Sequence, residues 1–339
     1  MVGYTLGQFR LTEFFFNLKR IHIKLMNNYP TSLGAMKLDN CIYNAAGVWD
    51  TTKVQCDDLF MSPATGAVIT KSCTIESRTG NSQPKYHFTD LRSINSNGLE
   101  NNGIYFYLQL CKGAKPFIYS VGGLSNDERA QILDSIHHCS TEPANVEINL
   151  SCPNLGCAGP AYDPDTLETA LRQLLGPPDS KLEISINSLG LKLPPFYLLS
   201  DFNAIANVLE RWDHCIDYVT CINSIPNGLD YDVNTESTVI RPNGGYGGIG
   251  GPAILPVALA NVNRFSTIFK EEDVNIQVVG CGGISSGEDV YKHFLAGASA
   301  VQVGTALWKS GPQILEQINK EFSLIMRRKG YTSLLEILN

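Results

Sequence analysis

The feature of this chain that most restricts its fold is an alternation of short β-rich runs with helical stretches from about residue 40 onward. Helices are predicted after the capping box Ser125–Glu128, over Asp201–Trp212 and over Glu288–Leu295. Eight βα units in roughly 270 residues predict an α/β fold, a (β/α)8 TIM barrel with a parallel central barrel and an active site at the C-terminal ends of the strands. The eight candidate strands are Cys41–Ala45, Ala67–Thr70, Pro116–Ser120, Val146–Leu150, Gly190–Leu193, Tyr218–Ile222, Ile276–Gly280 and Ala300–Val303.

The positions of the glycine-rich turns favour this barrel over a doubly wound open sheet. The open sheet needs a phosphate-binding turn early in the chain. Here Gly244–Gly251 follows the sixth strand, Gly280–Gly283 closes the seventh, and Gly304-Thr305 closes the eighth. Barrels that bind phosphate do so at the loops after strands seven and eight, where glycine lets the backbone N–H groups approach the anion. The turns therefore predict a phosphate site.

Composition excludes several classes of protein. A formal net charge of -7 and a pI near 5.4 argue against nucleic-acid binding. The ten cysteines form neither a Cys-x-x-Cys pair nor a cluster at zinc spacing, so no metal site is predicted and reduced thiols in a cytoplasmic compartment are expected. No apolar stretch approaches the roughly 20 residues that span a bilayer, so integral membrane association is not expected.

Residues 1–30 differ from the rest and are predicted to be a basic extension, with the barrel domain at 31–339. Between Phe9 and Met26, four basic residues accompany the single acid Glu13, and apolar residues recur at helical spacing. This pattern is typical of a targeting or membrane-surface helix. A disordered extension, or a helix packed on the barrel, fits it equally well.

One motif stands out, Asn149-Leu150-Ser151-Cys152-Pro153-Asn154, directly after the apolar run Val146–Ile148. The thiol of Cys152 is placed where a strand gives way to a loop, between two carboxamides that could hold a planar polar substrate. A lone cysteine is more often buried and inert. The polar or glycine-rich motifs at the other strand ends favour a chemical role.

Two lysines fall on predicted strands, Lys71 at the end of the second and Lys192 in the fifth. A lysine in a buried strand is costly unless another charge offsets it, so a structural ion pair to an acid is the alternative to a role in a site. If the predicted phosphate belongs to a flavin, a lysine beside the ring could stabilise the anionic reduced form.

Taken together, these motifs resemble the class 1A dihydroorotate dehydrogenases over about residues 36–333. The resemblance implies an FMN-containing (β/α)8 barrel that oxidises (S)-dihydroorotate to orotate in pyrimidine biosynthesis. It also implies a homodimer. It rests on motifs in family order at the strand ends: Asn44-Ala45-Ala46-Gly47, Thr70-Lys71-Ser72, Ser93-Ile94-Asn95-Ser96, Asn149–Asn154, Lys192-Leu193-Pro194-Pro195, Asn223-Ser224, Gly247–Gly251, Cys281-Gly282-Gly283 and Val303-Gly304-Thr305.

The resemblance also implies roles for individual residues. Cys152 matches the catalytic base that takes a proton from carbon 5, while a hydride from carbon 6 passes to the flavin. The matching substrate-binding positions are Lys71, Asn95, Gly98, Leu99, Asn149, Asn154, Asn223 and Ser224. The matching FMN-binding positions are Ala46, Gly47, Lys71, Ser72, Asn149, Lys192, Gly248, Gly282, Gly283, Gly304 and Thr305.

The electron acceptor is expected to be fumarate, which is reduced to succinate, because the chain carries no iron–sulfur ligand set or NAD-binding half. An NAD-linked class 1B-like oxidoreductase and an FMN-binding barrel without turnover remain alternatives. The chain departs from the family pattern at Asn97, Glu100, Pro226 and residues 155–160. If Glu100 pointed inward, its charge would weaken binding of anionic acids.

Overall fold

Eight parallel strands form a nearly closed barrel in the computed structural model, which describes residues 27–110, 115–140, 142–151, 159–178, 180 and 184–338. The second to eighth strands pair in chain order, and the eighth pairs back onto the first, with Val301 opposite Ile42. The first and second strands are not paired with each other in this sheet. The predicted TIM barrel is confirmed, although the fifth strand begins four residues earlier than predicted. In chain order, the first to eighth barrel strands are Ile42–Asn44, Val68–Ile69, Phe117–Val121, Ala144–Asn149, Ile186–Leu193, Tyr218–Cys221, Gln277–Cys281 and Ala300–Val303.

Helices surround the barrel, and the three that the sequence predicts are present. The predicted capping box is only half correct: Ser125 accepts the Glu128 N–H, but the Glu128 carboxylate accepts from the N–H groups of Leu124 and Ile75 instead of Ser125. None of the helices in the described ranges is long and apolar enough to cross a membrane. The helices are Lys53–Met61, Ile104–Leu108, Asn126–Cys139, Pro164–Leu175, Leu199–Glu210, Leu255–Glu271, Gly287–Leu295, Thr305–Ser310, Gln313–Lys329 and Leu335–Leu338, with 3-10 turns at Pro160–Tyr162, Pro242–Gly245 and Pro252–Ile254.

The period of two along each barrel strand divides the core into two parts. In the fourth strand, Val146 and Ile148 join the main apolar core with the helices, while Glu147 and Asn149, of the opposite parity, line the barrel mouth. Successive side chains of a strand point to opposite faces, so the apolar and polar residues separate by position. One face of the strand therefore packs against the helices, and the other face contributes side chains to the barrel mouth.

A hairpin of Thr31–Leu33 and Met36–Leu38 closes the other end of the barrel. Its apolar side chains pack on Tyr43, Tyr218 and other residues of the interior in a second buried cluster. Because Gly190 has no side chain, the Tyr218 ring occupies the space there; a Cβ at Gly190 would lie 2.1 Å from the ring. The lower half of the barrel is thus filled, and only the upper half is left for a site.

The seam between the first and second strands is bridged by a side chain. The amide of Asn44 donates to the Ile69 carbonyl oxygen at 2.8 Å and accepts the Ile69 N–H at 2.9 Å. Together with the backbone bond from the Gly66 N–H to the Ile42 carbonyl oxygen, these two bonds take the place of a strand-to-strand ladder at this seam. The first residue of the motif Asn44–Gly47 therefore closes the barrel.

An antiparallel sheet that was not predicted lies at the barrel mouth. It joins the segment after the second strand to the segment after the sixth, and it places Asn95 opposite Gly248. Chain positions about 150 residues apart therefore meet above the barrel. Its strands are Tyr86–Phe88, Ser93–Asn95, Gly247–Gly250 and Ile225–Gly228; a short hairpin, Tyr231–Asp232 with Ser237–Thr238, extends from it.

The basic helix predicted between Phe9 and Met26 lies outside the described residues. Within the predicted extension, however, Tyr29 is described and is buried. Its ring meets Phe322 edge-on at 5.1 Å between centroids, and the carbonyl oxygen of Asn27 accepts the Ser323 hydroxyl. This part of the extension packs on the helix Gln313–Lys329 of the barrel.

Candidate active site

A single cavity at the C-terminal ends of the strands gathers most of the predicted site residues. The fourth, fifth and seventh strands contribute lining residues, and the segments that follow the first, second, sixth and eighth strands contribute the others near the barrel. The space between these residues, including the mouth open to solvent, comes to about 1150 Å³. The predicted residues that line it are Ala46, Gly47, Lys71, Ser72, Asn95, Leu99, Asn149, Lys192, Asn223, Ser224, Gly282, Gly283, Gly304 and Thr305.

Four predicted residues are not in that lining. Cys152 and Asn154 lie outside the described residues. Gly248 adjoins the cavity, because a Cβ there would lie 2.2 Å from the Ser224 hydroxyl oxygen. Gly98 precedes Leu99 in the loop, and a Cβ on it would collide with the Asn81 side chain at 2.5 Å. Both glycines therefore hold backbone close to polar side chains that a larger residue would displace.

The two cavity lysines are buried, with 8% and 5% of Lys71 and Lys192 exposed. Lys71 donates from Nζ to the Gly47 carbonyl oxygen at 3.2 Å, and Lys192 donates to the Gln302 Oε1 at 2.6 Å. Neither forms an ion pair with a carboxylate of the described part of the chain. The direct ion pair that was the alternative reading of these lysines is thus not what the structure shows.

A buried carboxyl group, Asp50, lies behind Lys71. Its Oδ2 accepts the Gly47 N–H at 2.5 Å, and its Oδ1 has no partner in the described structure. Burial raises the pKa of Asp50 to about 6, while the positive charge of Lys71 and the backbone N–H groups pull it down. The turn that carries Gly47 is therefore held by a group that titrates near neutral pH.

Asn149 is the centre of a hydrogen-bond network at the cavity wall. Its Nδ2 donates to the Ser72 hydroxyl at 3.1 Å, and Ser72 is bonded to Ser120 of the third strand at 2.8 Å. Its Oδ1 accepts from the Ser151 hydroxyl at 3.1 Å and from the Asn223 amide at 3.3 Å. Both ends of this carboxamide are fixed, so it presents a rigid polar surface to the cavity.

The sheet at the mouth brings a second set of polar groups to the cavity. Asn95 donates from Nδ2 to the Gly248 carbonyl oxygen at 3.1 Å. The Asn223 Oδ1 accepts the backbone N–H of Ser224 at 2.8 Å, which orients the Asn223 carboxamide. Donors and acceptors from the second, fourth and sixth strand ends thus face one space, as recognition of a planar polar molecule requires.

The glycine turns after the seventh and eighth strands fit a phosphate. Gly282 and Gly283 have φ of +129° and +79°, and a Cβ on Gly283 would lie 2.4 Å from that of Leu255. The Thr305 hydroxyl pairs with that of Ser93 at 2.9 Å beside them. Burial lowers the pKa of His293 to about 4, so its ring is neutral at pH 7 and its Nε2 lies 3.1 Å from the Gly282 carbonyl oxygen.

Sequence reasoning missed several cavity residues. Tyr86 lines the cavity and stacks on Trp308 at 4.0 Å between centroids, and nothing in the local pattern singles out either ring. Glu147 was overlooked although it has the same parity as Asn149 two residues later, a signal that could have indicated an inward carboxylate. Asp50, three residues after the motif Asn44–Gly47, was also not predicted; it does not line the cavity itself but bonds to the N–H of Gly47, which does.

The departures from the family pattern differ in their effects. Asn97 lines the cavity. Glu100 does not; its carboxylate forms an ion pair with Lys85 at 2.7 Å and is 41% exposed. The repulsion considered for Glu100 is therefore offset by a neighbouring cation. Pro226 lies within the strand Ile225–Gly228 of the sheet at the mouth, and residues 155–158 lie outside the described part.

Comparison with known proteins agrees with the geometry. Residues 30–326 match the family model described as dihydroorotate dehydrogenase. A Streptococcus pyogenes serotype M5 protein named "Putative dihydroorotate dehydrogenase A (fumarate)" is 41% identical over 316 residues, covering 91% of this chain and 96% of the relative. A Streptococcus agalactiae serotype V protein of the same name is 39% identical, covering 91% and 97%. The chain belongs to the dihydroorotate dehydrogenase family.

Proposed function

We propose that this protein oxidises (S)-dihydroorotate to orotate in pyrimidine biosynthesis, with FMN as its cofactor and fumarate as the electron acceptor. The observation that carries the proposal is the convergence of two buried lysines, the Asn149 network and the late glycine turns on one cavity. Family membership and the names of the relatives support the same reaction.

FMN fits the residues that line the cavity. The backbone of Gly282, Gly283 and Gly304, with the Thr305 hydroxyl, would hold its phosphate. A Cβ on Gly47 would lie 3.4 Å from the Lys71 Nζ, so the missing side chain leaves room beside that ammonium group. The other residues proposed to contact the cofactor are Ala46, Ser72, Asn149, Lys192 and Gly248. Bound FMN would supply the acceptor for the hydride of carbon 6.

The remaining polar groups would bind and polarise the substrate. The described side chains that would offer amide and hydroxyl groups to the pyrimidine ring are Asn95, Asn149, Asn223 and Ser224. Asn154 is proposed to join them on the family resemblance. The Lys71 ammonium and the backbone at Gly98 and Leu99 would bind anionic oxygens. Cys152 would accept the proton of carbon 5 as a thiolate, while these donors stabilise the charge that develops on the substrate.

Fumarate is the proposed acceptor because the relatives carry it in their names. The NAD-linked alternative requires a second protein, and the barrel without turnover requires a disabled site. Purified chain alone, given dihydroorotate and fumarate, is expected to form orotate and succinate. Turnover only after a partner and NAD are added would favour the NAD-linked reading.

The cofactor is tested by the absorption spectrum. Purified protein is expected to be yellow, with one FMN per chain, and anaerobic dihydroorotate should bleach it; fumarate should then restore the colour. A colourless protein that cannot be reconstituted with FMN would contradict the cofactor assignment.

The base is tested by substitution of Cys152. Cys152→Ala should retain FMN but lose at least about 10²-fold in the rate of flavin reduction, since a positioned base contributes about 10²–10⁴-fold. Cys152→Ser should fall between and need higher pH, because a hydroxyl is a poorer base. In the parent, the rate should rise with pH towards about 8.5 as thiolate forms. Reduction of Cys152→Ala at the parental rate would assign the base elsewhere.

A homodimer and a cytoplasmic location complete the proposal. The homodimer follows from the family resemblance, and the cytoplasmic location follows from cysteines whose spacing in the sequence shows no disulfide framework. Sedimentation of the purified chain tests the homodimer, and fractionation of cells tests the location. A monomer with full turnover would contradict the proposed homodimer.

A further inference from the structure

A chain of buried polar groups runs beneath the cavity from Lys192 to Glu147. The Lys192 Nζ donates to the Gln302 Oε1 at 2.6 Å, and the Gln302 Nε2 donates to the Glu147 Oε2 at 2.7 Å. The Thr220 hydroxyl donates to the same Glu147 oxygen at 2.7 Å. Glu147, Thr220 and Gln302 have no exposed surface, and 5% of Lys192 is exposed.

The chemistry of the donors fixes the orientation of this chain. An ammonium group can only donate, so the carbonyl oxygen of Gln302 must face Lys192 and its NH2 group must face Glu147. The Gln302 amide therefore connects a buried cation to a buried anion with both of its ends in use. The linkage takes the place of the direct ion pair that a buried lysine would otherwise need.

Glu147 is not explained by packing alone. Its second oxygen, Oε1, is buried and has no partner in the described structure, although the residue lines the cavity. A hydrophobic residue or a glutamine of similar size would fill the same space without burying a charge. A buried carboxylate with a half-satisfied hydrogen-bond capacity is expensive, which indicates a role for the charge itself.

We propose that Glu147 is a positioning residue that acts through Gln302 on Lys192, holding its ammonium group at the cavity floor and so limiting the positive charge that it presents to the flavin. The inference rests on the proposed binding of FMN. Lys192 alone would favour negative charge on a neighbouring ring, and the carboxylate behind it moderates that effect. The pair thereby sets how readily a bound flavin accepts electrons.

Sulfite binding measures this effect without turnover. Sulfite adds to the N5 nitrogen of oxidised flavin and places the electron pair on the ring, so a nearby cation tightens the adduct. In FMN-loaded protein, Glu147→Gln keeps the shape and removes the charge, and the Kd for sulfite should fall about tenfold. Lys192→Met should raise it, and adding Glu147→Gln to Lys192→Met should change it little, because Glu147 acts through Lys192.

Ser188→Ala is the matched control. Its hydroxyl is buried in the barrel and donates to the Leu33 carbonyl oxygen at 2.9 Å, at the far end from the cavity. It should lose stability without changing sulfite affinity. Unchanged affinity in Glu147→Gln, or an equal change in the Lys192→Met background, overturns the inference.

Thermal unfolding of the same variants separates this inference from the proposed function. The double variant should be more stable than the sum of the two single shifts in Tm predicts, because the coupled pair is lost once. If the parent protein binds no flavin, the proposed function is wrong. The Tm shifts of the two single variants and the double variant still test whether Glu147 and Lys192 are coupled. Additive shifts in Tm would then overturn it.

Discussion

At Asp50, the chain keeps a carboxyl group in a place where ionisation is unfavourable. The group is buried, one oxygen has no described partner, and its pKa is raised to about 6 against an ordinary value of 3.8. Lys71 and the Gly47 N–H recover only part of the free energy lost to burial. The residue therefore holds the Gly47 turn at some expense to stability above pH 6.

The sign of this effect gives a prediction. The pKa of Asp50 is higher in the folded protein than in the unfolded chain. Its contribution to the stability of the fold is therefore fully present below about pH 3.8 and is lost as pH rises through about 6. The change that Asp50→Asn makes to the free energy of unfolding should therefore be more stabilising at pH 7.5 than at pH 4 by about 2–3 kcal/mol, at about 1.4 kcal/mol per pKa unit. Urea unfolding at the two pH values measures it.

Glu272→Gln is the control for that comparison, because Glu272 is exposed. As a substitution of an exposed side chain, it should change the free energy of unfolding by no more than about 0.5 kcal/mol. Equal effects of Asp50→Asn at pH 4 and pH 7.5 would show that Asp50 does not titrate as its burial indicates.

At the scale of elements, the barrel depends on a side chain at one seam. Strand pairs elsewhere are joined by backbone hydrogen bonds, but Asn44 supplies both a donor and an acceptor to Ile69 between the first and second strands. The same seam opens directly onto the turn with Ala46 and Gly47, so the closure of the barrel and the shape of the site are coupled.

Asn44→Ala should destabilise the protein by about 2–4 kcal/mol, since it leaves the buried N–H and carbonyl of Ile69 without partners. Amide hydrogen exchange at Ile69 should accelerate more than at Ile118, which belongs to the third strand. The control Thr169→Ala removes one hydrogen bond on an exposed helix face and should cost about 0.5 kcal/mol or less. Unchanged exchange at Ile69 would contradict the bridging role.

The elements also show why part of the site was predictable and part was not. The Lys71, Asn149 and Lys192 positions follow from strand ends, because a local apolar run with a period of two places its last polar residue at the mouth. Tyr86 and Trp308 meet through contacts between segments about 220 residues apart in sequence. No local pattern encodes such a contact, so these residues could not be identified beforehand.

Across the whole molecule, the N-terminal segment belongs to the barrel from Tyr29 onward. The ring of Tyr29 is buried against Phe322, and Asn27 bonds to Ser323. A boundary at residue 30, drawn from charge and composition, would leave the buried Tyr29 side chain in the extension. The packing of the Tyr29 side chain bears on where the boundary lies, and this packing cannot be deduced from the composition of the segment.

Two truncations test that boundary. A chain that begins at residue 31 should be less stable than one that begins at residue 27 by about 3–5 kcal/mol, the usual cost of losing a buried aromatic side chain. Thermal unfolding of the two chains, together with Tyr29→Ala in the full-length protein, measures it. Equal midpoints for the two truncated chains would place Tyr29 outside the folded unit.

The sequence by itself determined the barrel, the order of its strands and the strand ends where polar residues collect. These follow from local periodicity and turn chemistry, which neighbouring residues specify. Only the tertiary structure decided which charges meet: Lys192 with Glu147 through Gln302, Lys85 with Glu100, and Asp50 behind Lys71. Electrostatic pairing depends on distances between residues far apart in the chain, and those distances exist only after the barrel has closed.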